Sequence, residues 1–307
     1  MSQEEHAISD TLESLSSSIA LLRKLEWRVR HAVASVLSGE YKSSFRGKGM
    51  EFDQVVKYEY GDDVRDIDWN VTARLGEPYR KKFVEEREVT LVLLFEDTPS
   101  LLFGSGTRSK REALLELASL LMLLSAVNGD RVSLMYASPA GYEFTKSSSG
   151  RGRVLHTAAT LLGQPAPDLL GPQEAAVPWK YLMRAAPRHS VFVWLSDFPA
   201  RAEPEGWNVL KKRYQPVGFR IEDPWERSLP DRGEQTVYDP VTGRLFNLNA
   251  ASPAQKAAHE KWNRDRDSHF KDLFPVDSDR LTLQAGEDAL DTVVKLFHKR
   301  ALRFGRG

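Results

Sequence analysis

Two short runs, Val89-Thr-Leu-Val-Leu-Leu-Phe95 and Ser190-Val-Phe-Val-Trp-Leu195, are apolar at almost every position and do not alternate. A strand wetted on one face alternates polar and apolar residues. Unbroken runs of this length belong instead to strands covered on both faces, as in a largely parallel sheet. Such a sheet needs helical crossovers, and the chain supplies them. Ser109-Lys-Arg-Glu112 is a capping-box pattern that opens a helix, and Asn128-Gly129 closes it. Arg131–Tyr136 reads as the next strand, and the turn Ser138-Pro-Ala-Gly141 leads into Tyr142–Thr145, which pairs back antiparallel as an edge. Helices follow at 154–162 and 179–186, then one at 207–214 and a strand at 217–221 that right-handed crossover places beside its predecessor. A small hairpin at 237–248, broken by Asp239-Pro-Val-Thr-Gly243, precedes a charged helix from Ser252 to about Phe274. A short strand at 280–283 and an amphipathic helix at 287–304 end the series. The fold class is α/β: a mostly parallel sheet flanked by helices, with one antiparallel edge strand.

Before this domain, Ile8, Leu12, Leu15, Ile19, Leu22, Leu25, Val29, Val33 and Val36 form one stripe of a helix that Gly39 ends. The stripe is expected to pack on the body of the protein. Residues 1–40 are this amino-terminal amphipathic helix. Residues 41–88 are irregular and dense in charged and aromatic residues. Residues 89–304 are the α/β domain, with an insertion at about 223–276.

The 43 basic and 43 acidic residues cancel, so no global field steers the chain to nucleic acid or an anionic membrane. With no cysteine there is no thiolate chemistry and no disulfide, which fits a reducing compartment. The start MSQEEHAISD has neither the basic nor the apolar part of an export signal. The longest apolar stretch, Leu114–Val127, contains Glu116 and falls short of the ~20 residues that span a bilayer. A cytoplasmic protein without membrane insertion is expected. The clusters Arg46-Gly-Lys48, Arg80-Lys-Lys82 and Arg151-Gly-Arg153 are short and neutralised nearby, so they read as solvated faces. There is no Walker loop, no nucleophile elbow and no zinc spacing among the seven histidines.

The order of elements resembles that of von Willebrand factor A domains, which are Rossmann-like. Gly49-Met-Glu-Phe-Asp53, Tyr58-Glu-Tyr-Gly-Asp-Asp-Val-Arg65, Ile67-Asp-Trp-Asn70 and Thr72-Ala-Arg74 resemble the signature of the bacterial domain-of-unknown-function family numbered fifty-eight. Gly129-Asp-Arg-Val132, Leu195-Ser-Asp-Phe198 and Asp223-Pro-Trp-Glu226 extend the likeness over most of the chain after about Tyr41. Members of that family are often encoded beside MoxR-type AAA+ ATPases. The resemblance implies a non-enzymatic adaptor that engages such an ATPase, or its client, in assembling or maturing a larger complex. It makes 41–88 the family-specific segment, with Gly49, Phe52, Asp53, Tyr58, Gly61, Asp62, Asp63, Arg65, Asp68, Trp69 and Arg74 as motif and partner-binding residues.

The same resemblance implies a degenerate metal-ion-dependent adhesion site at the strand ends. Glu96, Thr98 and Ser100 stand where the related domains carry Asp-x-Ser-x-Ser, Asp197 is the second acidic position, and a hydroxyl from Ser147–Ser149 replaces a threonine. Mg²⁺ in such a site takes hard oxygen ligands and leaves one position for a partner's carboxylate. Glu96 in place of aspartate and the stiff Pro99 depart from the pattern. In the structural alternative, Glu96 and Asp97 interact with a helix dipole and Ser100 makes local hydrogen bonds. Two further readings stand beside the adaptor. One is a metal-dependent hydrolase using Asp62, Asp63, Asp66 and Asp68. The other is a cell-envelope scaffold whose amino-terminal helix self-associates. Against the hydrolase, Arg65, Arg74 and Arg80 turn the acidic run into an ion-pair network that orders a loop, with Trp69 expected to anchor it by burial.

Overall fold

The computed structural model describes residues 3–32, 50–85, 89–188, 190–230, 233–239 and 244–304. Gly39, Gly49, Val33 and Val36, as well as Arg46 and Lys48, lie outside the described residues. The chain divides into two compact units: Arg46–Val89, and the remainder formed by Met1–Phe45 with Thr90–Gly307.

The larger unit is built on a six-stranded sheet of β3 (Thr90–Glu96), β4 (Arg131–Ser138), β5 (Gly141–Ser148), β6 (Val191–Ser196), β7 (Gln215–Glu222) and β10 (Arg280–Gln284). The spatial order is β10-β7-β6-β3-β4-β5, with every neighbouring pair parallel except β4 and β5. β3 and β6, the two unalternating runs, are adjacent at the centre, with Leu91 paired to Val191 and Phe95 to Leu195. Both are buried along almost their whole length.

One face of the sheet is covered by α3 (Lys110–Val127), which is itself packed under α1 (Gln3–Ala32), α4 (Arg151–Leu162) and α9 (Ala289–Phe304). Ser109 caps α3 in a full capping box with Glu112, and Gly129 takes the left-handed conformation just past its end (φ 80°). Leu22, Leu25 and Val29 of α1 are buried, so this part of the stripe packs on the body; Ile19 is exposed. Arg28 ties α1 to Asp288 and Glu116, and Glu26 holds Arg151.

The opposite face is aromatic. Trp194 of β6 meets Trp179 of α5 (Trp179–Ala185), Trp207 of α6 (Trp207–Arg213), Phe198 and Phe274 edge-on or tilted, with centroids 4.8–6.3 Å apart. α7 is the single turn Pro224–Arg227, β8 (Glu234–Asp239) and β9 (Arg244–Asn249) form the expected hairpin, and α8 runs from Pro253 to Leu273. The last turns of α8 belong to the core, because Phe270, Leu273 and Phe274 are buried against the aromatic face. Gly218 of β7 makes this possible: a Cβ there would collide with the Phe274 ring and lie 2.8 Å from Phe270.

The unit Arg46–Val89 is more regular than its sequence reads. β1 (Met50–Lys57) and β2 (Tyr79–Glu85) pair antiparallel, with a register shift between Phe52 and Gln54. Between them lie a 3₁₀ turn at Val64–Asp66 and the short helix α2 (Trp69–Leu75), which Gly76 closes at φ 74°. The strands escape sequence reading because Tyr79-Arg-Lys-Lys-Phe-Val-Glu85 carries a loop-like density of charge.

Candidate functional site

In open α/β sheets, ligands gather at the carboxyl ends of the strands. Here that edge combines the end of β3 (Glu96), the residues Asp97 and Thr98, the 3₁₀ turn Pro99–Leu102, the end of β6 with Asp197, the end of β7 with α7, and the first turn of α3.

The centre of the edge is a buried lysine. Lys110, whose side chain is 1% exposed, places its Nζ 3.0 Å from Asp197 Oδ2 and 2.7 Å from Glu226 Oε1. Ser100 Oγ donates to the same Asp197 oxygen at 2.6 Å, and the Thr98 and Ser100 hydroxyls are 2.9 Å apart. Glu226 also faces Arg266 at 3.3 Å and caps the turn from Asp223. Burial raises the Asp197 pKa, but Lys110, Ser100 and Arg266 outweigh it and hold the carboxyl below its ordinary value. Burial depresses Lys110, and its two carboxylates reverse that into a net upward displacement. Both groups are therefore ionised at neutral pH. Asp197 Oδ1 is buried with no hydrogen-bond partner.

The turn at Asp197 is strained. Phe198 has φ 49°, unusual for a residue with a Cβ, and it is held there by burial against Trp194 and Phe270 at ring distances of 4.8 Å. The aromatic face thus fixes the backbone that presents Asp197.

Glu96, the other acidic residue placed in the metal set, has different partners. As the last residue of β3 it points to the aromatic face, where Trp194 Nε1 donates to Oε2 at 2.9 Å and Arg201 lies 2.7 Å from Oε1. Asp97 points the other way and takes Arg111 and the Tyr136 hydroxyl, the latter at 2.9 Å. Burial lifts the Asp97 pKa, against the pull of Arg111. Burial and the Asp97 charge push Tyr136 up to about 12.

Thr98, Ser100 and Asp197 are thus joined in one hydrogen-bonded chain, while Glu96 is bound to Trp194 and Arg201. This donor set does not suit Mg²⁺, which needs several hard oxygens around one point. At the Asp197 carboxylate the positive charge is the Lys110 ammonium, and among the described residues no three acidic or histidine side chains are grouped to hold a metal. The hydroxyl expected from Ser147–Ser149 is a correction. β5 runs antiparallel, so Ser148 pairs with Val132 near the start of β4, and Ser147 accepts from Arg131 at the opposite edge of the sheet.

In the smaller unit the acidic run is dispersed. Asp62 pairs with Arg80 at 2.6 Å, Asp63 pairs with Arg65 at 2.7 Å and caps the 3₁₀ turn, and Asp68 caps α2 through the amides of Asn70 and Val71. Arg65 holds Asp63 down to about 2. Tyr58 donates to the Asp62 carbonyl at 3.0 Å, and Gly61 adopts φ 108° beside it. Two expectations fail here: Trp69 is 69% exposed and does not anchor the loop, and Arg74 makes no ion pair among the described residues. The side chains of Phe52 and Asp53 lie outside the described residues.

Lys110 and Arg266 went unrecognised in the sequence. Lys110 hides as the first residue of a capped helix, where a lysine ordinarily faces water. Only Glu226 carried a signal, through the Asp223-Pro-Trp-Glu226 motif. Among the described residues, no helix is long and apolar enough to cross a membrane.

The family model described as "Protein of unknown function DUF58" matches residues 54–269. An uncharacterized protein of Mycobacterium tuberculosis is 30% identical over 241 residues, covering 76% of this chain and 74% of the relative. Among solved structures, the conserved hypothetical protein BatB from Bacteroides thetaiotaomicron is similar at 11% identity and a TM-score of 0.42, covering 71% of this chain and 100% of that one. An uncharacterized membrane spanning protein from Vibrio fischeri is similar at 13% identity and a TM-score of 0.23, covering 69% and 97%. The extent of the family match and the identity to the mycobacterial relative place the chain in the DUF58 family of proteins of unknown function.

Proposed function

We propose that the protein is a non-enzymatic adaptor with a von Willebrand factor A-like domain, working in the cytoplasm with a MoxR-type AAA+ ATPase, and that it binds its partner through the Arg46–Val89 unit. One observation carries the choice of surface. Tyr60, Val64, Trp69 and Leu75 of that small unit are exposed by 107, 62, 69 and 58%. Large exposed apolar side chains concentrated in one segment mark a contact surface, and Trp and Tyr are the usual anchors of protein interfaces. The strand-end carboxylates Glu96, Asp97 and Asp197, by contrast, are buried and paired with cations of the same unit. They organise the domain, and binding does not pass through a metal. The partner class follows from the likeness of the Gly49–Arg74 motifs to a family often encoded beside such ATPases.

The test is the affinity for the genomically adjacent MoxR-type ATPase, measured with Mg²⁺ and with EDTA for wild type and for Tyr60→Ala/Trp69→Ala. Loss of two anchors at ~2 kcal/mol each weakens binding by about a thousandfold. Retention of wild-type affinity by a folded double variant would remove the assigned surface. Loss of binding in EDTA would restore the metal-bridged mechanism, and no binding by wild type would end the MoxR assignment.

A further inference from the structure

At the open edge of the six-stranded sheet, beside β10, lies a cavity of about 440 Å³. Its lining combines Arg220 of β7, Arg227 of α7, Lys271 of α8, Arg280 of β10, and Lys295 and Lys299 of α9. Two carboxylates face these six cations, and both are already shared. Asp267 lies 2.8 Å from Arg220 and 3.1 Å from Arg227, and Asp277 lies 3.2 Å from both Arg280 and Lys299. Glu222 adds a third acid from behind, through Arg220 and Arg227.

Lys271 and Lys295 have no ion pair or hydrogen bond among the described residues, and both are exposed at the cavity. Lys295 and Lys299 stand one turn apart on one face of α9, above Thr292, an arrangement in which like charges repel. Arg220 forms part of the floor with its side chain 5% exposed, and its Nε and Nη1 make no hydrogen bond. A surplus of positive charge inside a concave, partly enclosed space concentrates the field there. A flat basic stripe would suit a nucleic-acid backbone, whereas a cavity within the ~300–1,000 Å³ of small-ligand sites suits a compact anion. Arginine forks together with mobile lysines are the donor set that recognises phosphate oxygens.

We infer that this cavity is a binding site for a free, phosphate-bearing small molecule carrying at least two negative charges, with Lys271 and Lys295 as its gripping cations. The lining includes neither Lys110 nor Asp197 and no residue of Arg46–Val89, so the inference does not depend on the adaptor reading.

The probe is inorganic pyrophosphate, titrated calorimetrically into the full chain at about 0.15 M salt, where exposed charges are largely screened. Wild type is expected to give saturable heat for one site. Lys271→Gln/Lys295→Gln, which alters two exposed side chains, is expected to weaken it by at least about tenfold with an unchanged circular dichroism spectrum. Absence of saturable heat in wild type, or equal affinity in the double variant, would overturn the site. A wild-type response reproduced by sulfate at equal ionic strength would likewise overturn it, by reducing the effect to general anion screening.

Discussion

Replacing Lys110 with methionine keeps the length and apolar stem of the side chain and deletes the ammonium. In the wild type that ammonium lies 3.0 Å from Asp197 and 2.7 Å from Glu226. At an effective dielectric of ~20 each contact carries about 5–6 kcal/mol of Coulomb energy, offset by the several kcal/mol needed to dehydrate each ion. The variant leaves Glu226 with Arg266, but leaves Asp197 with the Ser100 hydroxyl and an unpartnered Oδ1. A buried carboxylate deprived of its cation costs about 3–5 kcal/mol, a large share of the ~5–15 kcal/mol that holds a domain folded. Adding Asp197→Asn removes the orphan charge, so the double variant is expected to regain about 1–3 kcal/mol as coupling energy.

The assay is urea unfolding followed by tryptophan fluorescence, since Trp194 and Trp207 are buried beside the site. The pH dependence is an internal check. The folded Asp197 pKa is lowered, so its contribution is present above the unfolded value near 3.8 and is lost as pH falls through the folded value. The folded Lys110 pKa is raised, so its contribution is present below 10.5 and is lost as pH rises through the folded value. The deficit of Lys110→Met should be constant at neutral and mildly alkaline pH and begin to shrink on the acid side while still above 3.8, because burial without Lys110 raises the orphaned Asp197 carboxyl and protonation relieves it. A loss below about 1 kcal/mol, or a double variant no more stable than the single, would refute the reasoning.

Gly218→Ala places a methyl group into the Phe274 and Phe270 rings, and overpacking of this kind is expected to cost about 1–3 kcal/mol by the same unfolding assay. An unchanged midpoint would show that the aromatic face yields. Alkaline ultraviolet titration should show a step near pH 12 whose amplitude falls in Tyr136→Phe, because the folded hydroxyl is raised to about 12 while its unfolded value is 10.0; burial raises Tyr214 as well, so some late amplitude persists. The stability it contributes is present below 10.0 and fades as pH rises towards 12, and a late amplitude unchanged in Tyr136→Phe would contradict the assignment.

The sequence by itself determined the α/β frame, because its signals are local. Short unalternating runs rich in β-branched and aromatic residues fit covered strands, Ser109 and Glu112 cap a helix from three residues apart, and the Ser138–Gly141 turn makes β5 run back along β4. The candidate site was legible in part: Ser100 and Asp197 do meet at the strand ends, which follows from parallel strands of equal direction. What only the tertiary structure decided is which charges meet. Lys110 is 87 residues from Asp197 and 116 from Glu226, and nothing in its local pattern separates a lysine that turns inward from one that faces water. Direction along the sheet decided that Ser147 sits at the far edge, and side-chain alternation at the end of β3 sent Glu96 to Trp194 and Asp97 to Arg111. Packing likewise left Trp69 in water. The basic cavity draws its six cations from five elements spread over 80 residues, from Arg220 to Lys299, so it exists only once two strands and three helices have come together around it.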